Sequence, residues 1–250
     1  EDGGLDPEHL ASRFCKHRIW GIGSTTKAFM RNYKDNHMPW HKAGIDSLGN
    51  GALMRIAPVI VPYLRNPTSS MYADAAIDTM ITHNNSGNIA SCVAFVKMLW
   101  FILGMKSTPE SRWWIDTFCA TAQPLEGDTR YHPENNGHAD YEGPLNQFTK
   151  RVCEDALSKG LTTEEACNWW GSGGNLFETL PSVMYILTLH SDNLEEAIIR
   201  AVNDTKDNDT IAAIVGAAVG ALHGLESIPK RWLQGLKGVV RKGGGGAVFS

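Results

Sequence analysis

The sequence predicts an all-α protein, folded as a single compact multi-helix domain over residues 1–250. Three observations carry that expectation. Apolar residues recur at three- and four-residue steps through most of the chain, no stretch alternates apolar and polar residues as a half-buried strand does, and Gly, Pro and capping residues punctuate the periodic segments. A chain of 250 residues with 42% hydrophobic and 20% charged content has enough apolar surface to bury a sizeable core.

Taken in order, Gly21-Ile22-Gly23-Ser24-Thr25-Thr26 precedes a helix and lacks the Gly-Lys-Ser/Thr end of a P-loop, so Ser24 reads as an N-cap. The β-branched run Val59-Ile60-Val61 is cut by Pro58 and Pro62 and is no strand. Met71 to His83 sets Ala73, Ile77, Met80 and Ile81 on one helix face. Asn88 to Leu103 is apolar nearly all round, as the central helix of a bundle is, and Gly104 stops it. Gln123 to Gln147 is polar and rich in Gly, Pro and Asn, and reads as a long loop. Thr162-Thr163-Glu164-Glu165 has capping-box spacing at the head of a helix reaching Trp169 or Trp170. Pro181 suits the first turn of a helix running to about Leu189. Leu194, Ala197, Ile198, Ala201 and Val202 form an apolar stripe, and a last helix runs from near Asp209 to Gly224, with Pro229 beyond. Residues 243–250, opening on four glycines, read as a flexible tail.

Composition excludes several function classes. Lys plus Arg number 23 against 27 for Asp plus Glu, a net charge of −4, which argues against a broad electrostatic grip on nucleic acid or anionic lipid. Trp113-Trp114 and Trp169-Trp170 lack interleaved basic residues and read as packing and rim residues rather than a base-stacking platform. Ile89 to Leu103 contains Lys97 and falls short of the roughly 20 residues a membrane span needs, so it reads as a buried helix. No cationic-then-apolar leader opens the sequence. Five scattered cysteines without a Cys-x-x-Cys pair indicate neither a disulfide framework nor a thiolate zinc site, and fit a reducing cytoplasmic compartment.

Three segments can carry chemistry. Asn203-Asp204-Thr205-Lys206-Asp207-Asn208-Asp209-Thr210 places three carboxylates in six residues directly before a helix. They repel one another unless solvated or bridged, and two carboxylates followed by a hydroxyl are the hard oxygen donors that Mg²⁺, Mn²⁺ or Ca²⁺ prefers. The glycine and glutamate of an EF-hand are missing, and an Asp N-cap in a solvated turn uses the same residues. The helix that follows carries Gly216, Gly220 and Gly224 among alanines; mid-helix glycine is unfavourable, which predicts close packing against a neighbour. In Ser47-Leu48-Gly49-Asn50-Gly51, glycines free the backbone to aim amides at an anion, although Asn-Gly is also an ordinary turn. His83, in Thr82-His83-Asn84-Asn85, is either a helix C-cap or a ligand-facing imidazole.

These segments occur in order with Gly171-Ser172-Gly173, Glu178-Thr179-Leu180-Pro181 and Ile228-Pro229-Lys230-Arg231-Trp232. From about Gly3 to Trp232 that series resembles the ADP-ribosylglycohydrolase family, which includes dinitrogenase reductase-activating glycohydrolases and ADP-ribosyl-arginine hydrolases. The resemblance implies an all-helical domain with two divalent cations, Mg²⁺ or Mn²⁺, at the bottom of a cleft. It implies Asp207, Asp209 and Thr210 as metal ligands, with Asp209 catalytic, and Ser47, Gly49, Asn50, Gly51 and His83 as ADP-ribose contacts. The implied activity is hydrolysis of the bond between ADP-ribose and a protein side chain, arginine first. The implied partners are an ADP-ribosylated protein and, for a non-catalytic binder or immunity protein, an ADP-ribosyltransferase toxin. The family's Gly-Gly-Asp-Thr-Asp-Thr appears here as Thr205-Lys206-Asp207-Asn208-Asp209-Thr210, and Lys206 is expected to point outward. The family's second acidic cluster, a Thr-Asp-Asp-Thr-like segment, is expected upstream of Gly3, before this sequence begins.

Overall fold

The structure, a computed structural model, describes residues 4–16, 19, 21–134 and 138–236; the glycine-rich tail lies outside the described residues. Helices α1 (Pro7–Lys16), α2 (Ser24–Met30) and the short α3 (Trp40–Ala43) precede α4 (Ser70–Thr82), and the four meet in a small apolar cluster built on Ala11, Phe29, Ala43 and Ile81. Then follow α5 (Ser86–Leu103), α6 (Trp113–Glu126), α7 (Leu145–Lys159), α8 (Thr163–Trp170), α9 (Leu176–His190), α10 (Leu194–Asn203), α11 (Asn208–His223) and α12 (Lys230–Leu236). Among the described residues no strand occurs, and the β pairing is confined to three isolated bridges.

Two helices, apolar nearly all round, form the centre. Helix α5 packs against α4, α6 and α11, and α9 against α6, α7, α8, α10 and α11. Cys92, Ala94, Val96 and Met98 of α5 and Leu180, Val183, Ile186 and Leu187 of α9 are fully buried. By length and composition α5, at 18 residues, suffices to cross a membrane, but 67% of it is buried inside the protein, which makes it the core helix its sequence predicts. Trp114 and Trp170 sit in the core while Trp113 and Trp169 pack at its edge. All five cysteines are free thiols.

Several boundaries differ from the sequence reading, each for a local reason. Helix α9 starts at Leu176, because the Asn175 side chain accepts the amide of Phe177 and nucleates the helix before Pro181, which is accommodated inside it. Helix α6 runs on to Glu126, and α7 starts at Leu145, so the loop is 127–144. The buried Glu126 carboxylate closes it, accepting the backbone amides of Leu145 and Asn146 and the Asn146 side-chain amide at the positive end of α7. The run Val59-Ile60-Val61 lies in a 3₁₀ stretch, Ala57–Tyr63, that seats Ile60 and Tyr63 in the core. Ser24 is the first helical residue rather than the cap; Gly23 holds the cap position and no side chain caps it. The apolar stripe of α10 ends before Val202, which is exposed.

The expected close packing of the α11 glycines is not found. A Cβ at Gly220 would meet nothing within 4 Å, and one at Gly216 only Ile198 Cδ1 at 4.0 Å. Their freedom from a side chain is therefore unused by the described residues. Gly220→Ala is expected to stabilise the protein by about 0.5–1 kcal/mol through helix propensity, raising the melting temperature by roughly 1–4 °C. A loss of stability in a thermal melt would instead mean that something covers this face.

Candidate functional site

The site forms where the C-terminus of α4 and the N-termini of α5, α9 and α11 meet one turn, residues 45–51. Ile45 pairs with the end of α4, its amide donating to Thr82 O and its carbonyl accepting from Asn84 N. The buried Asn88 of α5 then straddles the turn, donating to Ser47 O at 2.7 Å and Gly49 O at 3.1 Å. On the other side Asn50 N donates to Gly174 O and Leu176 N to Leu48 O, which ties the turn to the head of α9. Ser47 Oγ accepts the Gly49 amide at 3.1 Å and pairs with Thr25 Oγ1 at 2.9 Å.

The amides of Gly49 and Asn50 are thus committed inside the fold, and neither aims at a ligand. Nor does either Gly49 or Gly51 adopt positive φ. Their glycines serve close approach instead. A Cβ at Gly51 would stand 3.0 Å from His83 Cε1, and one at Gly49 would stand 3.5 Å from His83 Nε2. The imidazole rests directly against the turn because neither residue has a side chain.

His83 is 2% exposed, so it is no solvent-facing cap. Its Nδ1 lies 2.8 Å from Thr82 Oγ1, which also accepts from Arg55 Nη2 at 2.9 Å. Arg55 occupies one of the two Oγ1 lone pairs, and the hydroxyl meets Nδ1 through its proton or its second lone pair. Burial, with the nearby Arg55 charge adding to it, pushes the His83 pKa down to about 4. The folded protein therefore holds this imidazole neutral while the unfolded chain protonates it near 6.5. Its contribution to stability is fully present above pH 6.5 and is lost as pH falls from there to about 4, roughly 3 kcal/mol in all. Denaturant melts at pH 7, 5.5 and 4 should show that loss, and His83→Gln should flatten it.

The acidic segment divides. Asp204 turns away to pair with Arg200, and Lys206 is exposed as expected. Asp207 occupies the N-cap position of α11 but makes no side-chain cap hydrogen bond. Its Oδ2 instead accepts from Asn50 Nδ2 at 2.6 Å, and its amide donates to Ser172 O. The solvated-cap reading therefore fails at Asp207. Asp209 is exposed, with Oδ1 accepting the amide of Thr210 at 2.9 Å. Thr210 is buried, its hydroxyl directed at Met54 Sδ at 3.8 Å. Among the described residues no group of three His, Cys, Asp or Glu side chains converges as a metal cluster.

A cleft of about 850 Å³ opens beside the turn, lined by Ser24, Thr25, Asp46, Ser47, Gly49, Asn85, Arg130, Tyr131, Glu134, Gly174 and Asn175, among others. Of the residues the sequence singled out, Ser47 and Gly49 line it, whereas Asn50, Gly51 and His83 form its backing. Asp207 adjoins at Gly174, where an added Cβ would stand 3.6 Å from Oδ2. Sequence reasoning missed Thr25, Asp46, Asn85, Asn88, Asn175, Arg130 and Tyr131. Asn85 and Asn175 cap α5 and α9, a signal visible as Asn before each helix, so two positive helix ends face the cleft. Tyr131 joins the polar loop to this end of α5, its hydroxyl 2.7 Å from Ser86 Oγ and donating to Asn85 Oδ1 at 3.1 Å.

Comparison with known proteins agrees with this architecture. The profile described as ADP-ribosylglycohydrolase matches residues 1–245, and the chain belongs to that family. It is 25% identical to the ADP-ribosylhydrolase ARH3 of Mus musculus, over 94% of this chain and 68% of that protein. It is 27% identical to the ADP-ribosylarginine hydrolase Tri1 of Serratia proteamaculans, over 88% and 51% of the two chains. With the ADP-ribosyl-[dinitrogen reductase] glycohydrolase of Rhodospirillum rubrum it shares 22% identity, over 94% and 67%. A solved structure, an ADP-ribosylglycohydrolase-related protein complex, superposes with a TM-score of 0.60 at 24% identity, over 92% of this chain and 68% of the other, and shares the fold. The chain spans about half to two thirds of the length of these curated relatives.

Proposed function

We propose that this protein removes ADP-ribose from a modified protein side chain, arginine being the preferred acceptor. The observation that carries the reading is the Asn50–Asp207 contact: it joins the turn beside a nucleotide-sized cleft to the acidic head of α11, in a chain of the ADP-ribosylglycohydrolase family. In this reading the diphosphate lies against Ser47 and Gly49, where the α5 and α9 N-termini favour an anion. His83, held neutral, backs the turn without adding a positive charge. Gly51 admits the imidazole, and Asn50 acts from behind rather than touching the nucleotide. Asp209, the more exposed of the two carboxylates, faces the reacting bond.

Two carboxylates and a hydroxyl at Asp207, Asp209 and Thr210 are hard oxygen donors that fit one hydrated Mg²⁺ or Mn²⁺. A centre of two such ions requires further acidic donors than these. A cation held there would supply positive charge that orients the ribose hydroxyls and offsets the two carboxylates. We place the protein in a reducing, cytoplasmic compartment, in line with its five free thiols.

A second reading, favoured by the sparse donor set, is a binder of ADP-ribosylated protein or of an ADP-ribosyltransferase toxin that cleaves nothing. Incubation with an arginine-ADP-ribosylated protein and Mg²⁺, followed by chromatography of released ADP-ribose, separates the two. Release supports the hydrolase, calorimetric binding of ADP-ribose without release supports the binder, and neither result would sink both.

A further inference from the structure

The buried amide of Asn50 has two jobs, neither of them on the cleft surface. Its Nδ2 donates to Thr179 Oγ1 at 2.9 Å and to Asp207 Oδ2 at 2.6 Å. Thr179 in turn donates to Gly173 O at 2.9 Å, so its hydroxyl accepts from Asn50 and the direction of the chain is fixed. Turning the amide over would set Oδ1 against the Asp207 carboxylate, an acceptor against an acceptor. Asn50 therefore holds Asp207 by donation alone.

The two residues are also clamped from behind by one strap, residues 171–175. Gly174 O accepts from Asn50 N and Ser172 O from Asp207 N. Ser172 Oγ accepts the amide of Lys206 at 3.0 Å. The strap is set by Glu178, whose carboxylate accepts the Gly173 amide at 2.6 Å. Gly171, at φ +83°, and Gly173 leave it the necessary room, since a Cβ on either would run into that carboxyl group. Asn50 belongs covalently to the turn at the cleft and by hydrogen bond to the acidic motif, so each end feels the ordering of the other.

We propose that Asn50 is a positioning residue that couples the two ends of the site, fixing Asp207 for a divalent cation so that nucleotide at the Ser47–Gly51 turn and cation at Asp207–Thr210 strengthen each other. The inference rests on the reading of the cleft as an ADP-ribose site. Reciprocity is required: whatever factor ADP-ribose adds to cation affinity, the cation adds to ADP-ribose affinity.

The test titrates Mn²⁺ into the intact chain, following free Mn²⁺ by electron paramagnetic resonance, with and without saturating ADP-ribose. The native protein is expected to bind Mn²⁺ more tightly when ADP-ribose is present. Asn50→Ala is expected to weaken Mn²⁺ at least about tenfold, as loss of a hydrogen bond to a charged group does, and to abolish the enhancement. If Asn50→Ala melts as the native protein does and keeps both the affinity and the enhancement, the inference fails while the ADP-ribose site stands. If native protein binds both ligands with no mutual effect, it fails likewise. If native protein binds no ADP-ribose, the reading of the cleft fails and takes the inference with it. A readout free of variants is the Asn50 side-chain amide resonance, expected to move when Mg²⁺ alone is added to the native protein; a resonance that stays put overturns the proposal.

Discussion

Asp209→Ala is expected to lower ADP-ribose release from an arginine-modified protein by at least about 100-fold, with the fold intact. The asymmetry follows from where the side chain sits. Asp209 is exposed in the first turn of α11 and its recorded hydrogen bond is to the adjacent Thr210 amide, so its loss removes little internal structure. The cost in stability should be that of one favourable charge at a helix N-terminus, about 0.3–1 kcal/mol. Asp207 behaves differently, because its carboxylate is tied to the buried Asn50, and Asp207→Ala leaves that amide one acceptor short. Comparing released ADP-ribose with melting temperature for the two variants distinguishes a chemical role from a structural one. Undiminished release by Asp209→Ala would remove this carboxylate from the proposed chemistry.

Arg55→Met should have the largest effect on stability, about 3–5 kcal/mol, or a fall in melting temperature on the order of 10 °C. Arg55 pairs with Asp78, donates to Asp78 O at 3.0 Å and Thr82 Oγ1 at 2.9 Å, and lies over the Phe14 ring at 4.9 Å from its centroid. It thereby joins α1, α4 and the segment after the turn. The Asp78 side chain is 10% exposed, and burial raises its pKa despite the opposing Arg55 charge. Removing the guanidinium leaves a buried carboxylate with no cation. An acid whose folded pKa is raised is destabilising above that pKa and relieved below it. The gap between native protein and Arg55→Met should therefore narrow as pH falls from 7 towards the acid range. Asp78→Asn placed on the variant should recover part of the loss, by taking away the stranded charge. A gap independent of pH would show that packing, rather than the ion pair, is what Arg55 supplies.

The helical architecture was legible because periodicity and punctuation are local. Capping-box residues Thr162 and Glu165 make both expected hydrogen bonds, and α5 and α11 begin and end within two residues of their sequence signals. Where the reading slipped, a competing local signal had won. Asn175 outweighed Pro181 as the start of α9, and Glu126 drew the loop ends together by reaching across 20 residues to Asn146. That reach lies outside any window of periodicity. The same limit explains the glycines: close packing was expected at Gly216 and Gly220, yet it is Gly49 and Gly51 that are approached, by a histidine over 30 residues away.

The sequence by itself determined the residue types of the site: hard oxygens at 207, 209 and 210, a pair of glycines at 49 and 51, and a histidine at 83. Only the tertiary structure decided what each does. It turned Asn50 inward onto Asp207, set Asp204 aside with Arg200, and seated His83 against Thr82, which Arg55 also holds. The physical reason is that a hydrogen bond depends on direction and on the partner across the gap. Spacing along a chain fixes which groups are available, while only packing of distant helices fixes which groups face each other.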